Sequence, residues 1–139
     1  MAAYNFQKRY VPLIESGQKC QTIRMRRKNG YLPRSGDVLR LYQGMRTKAC
    51  KLICEVCVTE VLPICVHTGN GCADVTLNNE RLSNAQILEL VKHDGFKDVR
   101  DFSEFFNGKY GPDLHAYLIQ WDASMMRSPA SEVAIRSLP

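Results

Sequence analysis

The chain has 139 residues, 45% of them hydrophobic and 24% charged, with 19 Lys and Arg against 14 Asp and Glu, a formal net charge of +5 and a pI near 9.0. A chain of that size folds as one domain and buries a core without staples, and its mild basic excess suits a polyanionic partner without demanding one. No apolar run approaches the ~20 residues of a bilayer span and there is no secretory h-region, so a soluble cytoplasmic protein with reduced cysteines is expected.

Tyr4 to Phe6 reads as a short first strand. From about Arg9 to Ser16, Tyr10, Val11, Leu13 and Ile14 recur at helical spacing, with Pro12 tolerable only in a first turn. Gly17 then serves as a left-handed C-cap, and the chain restarts as a strand from Cys20. Met25 to Ser35 is cationic and broken by Gly30 and Pro33, so it reads as a loop. Ser35-Gly36-Asp37 is a turn, and Val38 to Tyr42 alternates as a strand. Cys50 to Val61 is a long β-branched run with Leu52, Cys54, Val56 and Val58 on one side, and Pro63 is expected to end it.

Val66 to Gly71 reads as a glycine and asparagine loop, followed by a short strand from Asp74 to Leu77. Ser83 caps a helix from Asn84 to Lys92, which exits through His93-Asp94-Gly95-Phe96 with Gly95 as the left-handed residue. A second helix is expected to begin at an Asp101/Glu104 capping box and to end before Gly108, with Phe102, Phe105 and Phe106 packed inward. Leu114 to Trp121 is the closing strand. The domain therefore spans residues 1–123, and residues 124–139, which lack apolar periodicity, form a tail with little order.

Six cysteines raise the question of a metal. Cys54 and Cys57 sit three apart on one strand and so face opposite sides, the wrong geometry for ligands of one zinc. Cys65 and Cys72 flank His67, and they meet only if the intervening loop folds back. No metal and no cofactor is expected.

The functional signal lies between Gly17 and Arg24, reading Gly-Gln-Lys-Cys-Gln-Thr-Ile-Arg. On a strand Cys20, Thr22 and Arg24 share one face and Gln21 and Ile23 the other. With Ile23 in the core, Thr22 and Arg24 face solvent or a groove, and Lys19 bends over the edge to join them. Arg26, Arg27, Lys28 and Arg34 follow in the loop, so a polyanion lying on that face meets a dense set of cations, and the Tyr31 ring can stack on a base.

The run Gly-x-Lys-x-x-Thr-Ile-Arg, preceded by Phe6-Gln7-Lys8-Arg9-Tyr10 and followed by Ser35-Gly36-Asp37-Val38-Leu39-Arg40-Leu41 and a helix ending in Asp94-Gly95-Phe96, resembles the ASCH domain, from about Tyr4 to Trp121. The resemblance implies an α+β fold, a small PUA-like β-barrel with two to three short flanking helices. It is closest to the bacterial branch of N(4)-acetylcytidine amidohydrolases, and it implies Lys19 as base, Thr22 as nucleophile and, as acid, the position that Asp94 fills. The family has a glutamate there, and aspartate is shorter by about 1.5 Å; His93 is the neighbouring alternative.

The residues support the same roles on chemical grounds. A threonine hydroxyl needs a base, and a lysine beside an arginine and partly buried has its pKa pulled down toward that task. Three functions follow: an amidohydrolase acting on acylated cytidine, a non-catalytic RNA-binding module, and a ribonuclease. The ligand is RNA or a modified nucleoside. The long 25–34 and 65–73 segments tilt the reading toward nucleic-acid binding overlaid on the same pocket.

Overall fold

The computed structural model describes residues 2–129. In chain order it has β1 (Ala2–Phe6), a 3-10 turn (Lys8–Tyr10), α1 (Val11–Glu15), β2 (Gln21–Arg24), β3 (Val38–Gln43), β4 (Lys51–Gly69), β5 (Cys72–Leu77), β6 (Glu80–Arg81), α2 (Asn84–His93), α3 (Val99–Tyr110) and β7 (Asp113–Trp121), then a 3-10 turn (Ala123–Met125). This is a mixed α+β fold built on one seven-stranded sheet. No helix among the described residues is long and apolar enough to cross a membrane.

β4 is the spine of the sheet. Its first half pairs antiparallel with β3, and its second half lies between β7 and β5. The change of partner falls at Val58 to Glu60, where a register shift marks a bulge, the device by which a long strand bends. β1 joins the far edge of β3 in parallel, β2 pairs with β7, and β6 closes the β5 hairpin. Leu39, Leu41, Cys54, Val56, Val58, Ile64, Val66, Val75, Leu118 and Ile119 are the buried strand residues of one core, to which Ile14 of α1, Ile87 and Val91 of α2, and Phe102 and Phe106 of α3 also belong.

Pro63 does not end β4, and the expected 66–71 loop is mostly strand. In a strand the N–H and C=O of one residue face the same edge. The Pro63 carbonyl accepts from the Asn78 N–H at 2.9 Å, beyond the last residue of β5. The missing proline donor therefore falls where the β5 ladder has already stopped, the one kind of place a strand tolerates proline. The loop shrinks to Asn70-Gly71, both with positive φ (52° and 74°), a two-residue hairpin turn matched to strand twist.

α3 also differs from expectation at both ends. Asp98 is the N-cap, its side chain accepting from the Asp101 N–H at 2.8 Å, while Glu104 pairs with Arg100. The helix runs on through Gly108, a residue that costs a helix about 1 kcal/mol relative to alanine and is here outweighed by the burial of Phe102 and Phe106.

The closed barrel expected from the sequence is not formed. Among the described residues no backbone ladder joins β1 to β2, so the sheet stays open at that seam. Arginine side chains span it instead: Arg24 Nη2 donates to the Asn5 carbonyl at 2.6 Å, and Arg27 Nη2 donates to the Ala3 carbonyl. They satisfy edge carbonyls of β1 that a neighbouring strand would otherwise take. Past β7 the chain stays anchored, because Arg127 and Glu55 exchange two backbone hydrogen bonds (2.7 and 2.9 Å). The tail expected from Ser124 is thus held at least to Arg127, and residues 130–139 lie outside the described residues.

Candidate active site

The open seam between β1 and β2 is the mouth of a cavity of about 160 Å³. Its lining comes from four places in the chain: Asn5, Phe6, Gln7 and Tyr10; Lys19, Thr22, Ile23 and Arg24; Asp94 and Phe96; and Phe105, Phe106, Lys109 and Tyr110 of α3. It is smaller than the ~300–1,000 Å³ usual for drug-sized ligands, so it suits a single ring or an acyl group.

Lys19 is placed by the turn after α1. Gly17, at φ 85°, lets the chain reverse; the Lys19 N–H bonds the Leu13 carbonyl at 2.9 Å, and Cys20 N–H bonds the His93 carbonyl at 3.1 Å. These two bonds tie the start of β2 to the ends of α1 and α2. The Lys19 side chain is only 4% exposed. Its Nζ donates to the Asp94 main-chain carbonyl at 2.6 Å and lies 3.5 Å from Asp94 Oδ1. The Phe6 and Tyr10 rings, 5.5 and 5.1 Å away, cover the ammonium, a favourable cation–π setting.

Asp94 caps the C-terminal end of α2 and is as deeply buried as its partner. Gln21 Nε2 donates to the Leu90 carbonyl at 3.2 Å and to Asp94 Oδ1 at 3.4 Å, which fixes the carboxyl against the floor. Burial pushes the Lys19 pKa down and the Asp94 pKa up, each opposed by the other's charge. The Arg24 guanidinium adds to the lowering of Lys19. Burial thus works against the charge on each group, while the pairing works to keep it.

Thr22 is buried on the cavity side of β2, and its Oγ1 accepts from Arg24 Nε at 3.0 Å. No hydrogen bond joins Thr22 to Lys19 among the described residues. The Arg24 guanidinium lies 4.8 Å from the Phe6 ring and 5.1 Å from the Tyr4 ring. Its Nε and Nη2 are used by Thr22 and Asn5, which leaves Nη1 to meet a ligand. The expectation that Thr22 and Arg24 share a face is met, and that face is an enclosed cleft rather than open solvent.

The four residues of the Lys19, Thr22, Arg24 and Asp94 set therefore meet in one cavity. The loop residues do not. Arg26 lies over the Tyr117 ring and bonds the Gly30 carbonyl at 3.0 Å; Arg27 lies between the Tyr4 and Tyr31 rings; Lys28 and Arg34 are exposed and line no part of the cavity. Tyr31 packs against the core with Arg27 over its ring, so it is not a free stacking platform.

Three features escaped the sequence reading. Gln21 is fully buried beneath the carboxyl; a glutamine alternating with Ile23 toward the core was the available signal. The wall of Tyr10, Phe96, Phe105 and Phe106, linked by edge-on and tilted ring contacts of 5.0 to 6.3 Å, is both core and cavity lining. Lys109 and Tyr110 reach the cavity only because α3 continues past Gly108. Elsewhere Cys54 is buried and Cys57 exposed, and no group of three or more His, Cys, Asp or Glu gathers among the described residues.

No family model, no curated protein and no solved structure matches the chain. The site is thus defined by its own geometry, as a small cleft with an amine and a carboxyl at its floor, a hydroxyl and a guanidinium on one wall and aromatic rings on the other.

Proposed function

We propose that the chain is an ASCH-type, PUA-like protein whose cleft binds a modified pyrimidine nucleoside and hydrolyses the amide of N(4)-acetylcytidine. The observation that carries this reading is the convergence of buried Lys19, Thr22 and Asp94 and half-buried Arg24 on one cavity with an aromatic wall. The resemblance of the Gly17 to Arg24 run supplies the substrate class. The expected replacement of the family's glutamate by Asp94 is compatible with the reading, since α2 ends so that Asp94 itself lies 3.5 Å from the Lys19 amine.

In the reaction, Thr22 Oγ1 adds to the acetyl carbonyl and its proton passes to the Lys19 amine. The neutral amine that step requires is the form burial favours. Arg24 holds the hydroxyl through Nε and offers Nη1 to the oxyanion, a donor already aimed before charge develops. The C–N bond then breaks, Asp94 gives its proton to the departing N4 amine, and cytidine leaves. Water, giving a proton to the Asp94 carboxylate, then adds to the acetyl ester; acetic acid leaves, and the Lys19 ammonium returns its proton to Thr22 Oγ1, which restores the hydroxyl, the free amine and the protonated carboxyl. The protonated carboxyl this needs is likewise the form favoured by burial.

The experiment is incubation with N(4)-acetylcytidine and chromatography for cytidine. Release by the wild type, abolished in Lys19→Ala and Thr22→Ala variants that retain the wild-type circular dichroism, is the expected result; wild-type protein that leaves the substrate intact overturns the reading. A second reading, an RNA-binding module, is favoured by the exposed cations Arg26, Arg27 and Lys28, of which Arg27 bridges to β1 at the open seam. It requires binding whose salt slope falls by about 0.7 for each phosphate no longer neutralised when Arg26, Arg27 and Lys28 are changed to alanine.

A further inference from the structure

We infer that the cleft takes its ligand in phosphorylated form, with Lys109 at the mouth as the anchor for the phosphate. The inference rests on the nucleoside reading above and adds to it the charge of the ligand.

Three cations, Lys19, Arg24 and Lys109, line the cavity against one carboxylate, Asp94. Asp94 is committed to Lys19 at the floor, so the positive charge of Arg24 and Lys109 has no counterpart in the cleft. Another cation, Arg9, lies over the outer faces of Tyr10, Phe96 and Phe105, but it is answered by Asp101 at 3.2 Å. Lys109 is exposed and makes no ion pair among the described residues. Its ammonium lies 5.3 Å from the Tyr110 ring and 5.7 Å from the Phe105 ring, both cavity-lining.

The depth of the cavity separates the two ends of a nucleoside. A cavity of about 160 Å³ takes little more than one ring, the base end of a nucleoside between the aromatic wall and the Thr22/Arg24 face, which leaves the sugar at the mouth. Lys109 is one of the exposed residues of the lining, as are Asn5 and Gln7. A neutral nucleoside gives this lysine nothing to pair with. A phosphate on the sugar does. The phosphate can belong to a free mononucleotide or to a polynucleotide threading one residue into the cleft.

The test is titration calorimetry of the full chain with cytidine, cytidine 5′-monophosphate and a short oligocytidylate, products that are not turned over. The monophosphate is expected to bind about threefold to tenfold more tightly than the nucleoside, the span between an exposed ion pair and a charge-assisted hydrogen bond, with the gap narrowing in high salt. Lys109→Gln should bring the ratio close to one, and Lys48→Gln, a charge-matched change on an exposed loop away from the cavity, should leave it unchanged. Tighter binding of the oligomer than of the monophosphate assigns the phosphate to a polynucleotide, and equal or weaker binding to a free nucleotide. Equal affinity for cytidine and its monophosphate, or a preference that survives Lys109→Gln, overturns the inference, and the acetylcytidine hydrolysis assay still decides the earlier reading by itself. Failure of both pyrimidine ligands to bind overturns it as well.

Discussion

Replacing Asp94 by asparagine keeps the shape of the side chain and its contact with Gln21 Nε2, and removes only the charge facing Lys19. Breaking one half of a buried pair costs about 3–5 kcal/mol when the other half stays charged. Lys19 has an escape, because it can shed its proton. At a given pH the charge part of the loss is capped by the cost of deprotonating a lysine whose unfolded pKa is about 10.4, or about 4.6 kcal/mol at pH 7 and about 1.9 kcal/mol at pH 9. The sign follows from proton counting. Asp94 is the largest influence holding the proton on Lys19, so the variant's folded-state pKa lies further below 10.4 than the wild type's. Between that value and 10.4 the unfolded chain carries a proton that the folded chain lacks, and stability rises with pH. Urea denaturation of both proteins at pH 7 and pH 9 is the measurement, with a gain over that interval larger in Asp94→Asn than in the wild type as the expected outcome. A variant as stable as wild type at pH 7, or one whose gain does not exceed the wild type's, would refute the buried pair as described.

Gly95→Ala tests the placement of Lys19 from a second direction: φ is 91° and a Cβ would stand 3.1 Å from Lys19 Cδ and 3.3 Å from Leu13 Cδ1. The backbone strain alone is about 1–3 kcal/mol, and cytidine release by the fraction that remains folded should fall as well; unchanged turnover would mean that the lysine tolerates displacement. Arg24→Lys retains the charge but cannot bond Thr22 Oγ1 and the Asn5 carbonyl together, so kcat should drop by about 10²-fold or more with the secondary structure intact, and a kcat close to wild type would remove Arg24 from the machinery. Burial pushes the Cys54 thiol up to about 12, so native protein treated with iodoacetamide at pH 8 should be alkylated at the exposed Cys50, Cys57 and Cys72 and not at Cys54. Mass spectrometry that finds Cys54 labelled at the same rate contradicts its burial.

Local features with a strong chemical preference were legible in the sequence. Ser83 makes the capping box with Gln86, Gly17 and Gly95 take positive φ, and Leu39 and Leu41 are buried against exposed Val38 and Arg40, because each depends on neighbours within a few positions. Apart from the start of α3, which Asp98 caps three residues before Asp101, the errors fell where a partner distant in sequence decides. Pro63 is allowed by the place at which β5 ends, and Gly108 is carried by the packing of α3 on the sheet. Whether strands close into a barrel depends on the pairing of β1 with β2, and neither strand's own residues state it. At the site, alternation along β2 put Thr22 and Arg24 together, but nothing local distinguished a solvent face from a cleft wall, since the covering comes from α3, whose first residue is Val99.

The open seam and the buried pair bear on each other. A strand ladder between β1 and β2 would satisfy the Ala3 and Asn5 carbonyls by backbone donors and close the barrel, yet it would also cover Thr22 and fill the space above Lys19. Arginine side chains satisfy the same carbonyls while leaving a gap that a small ligand can enter. The pair beneath the gap gives the fold little that apolar residues of the same size could not, since such replacements of buried ion pairs are often neutral or stabilising by about 1–4 kcal/mol. Two departures from the most stable arrangement, one in the sheet and one in the core, thus coincide at a single cavity. Stability gives no reason for that coincidence, whereas the proposed hydrolysis, which needs an amine, a hydroxyl and a carboxyl that a ligand can reach, would use both.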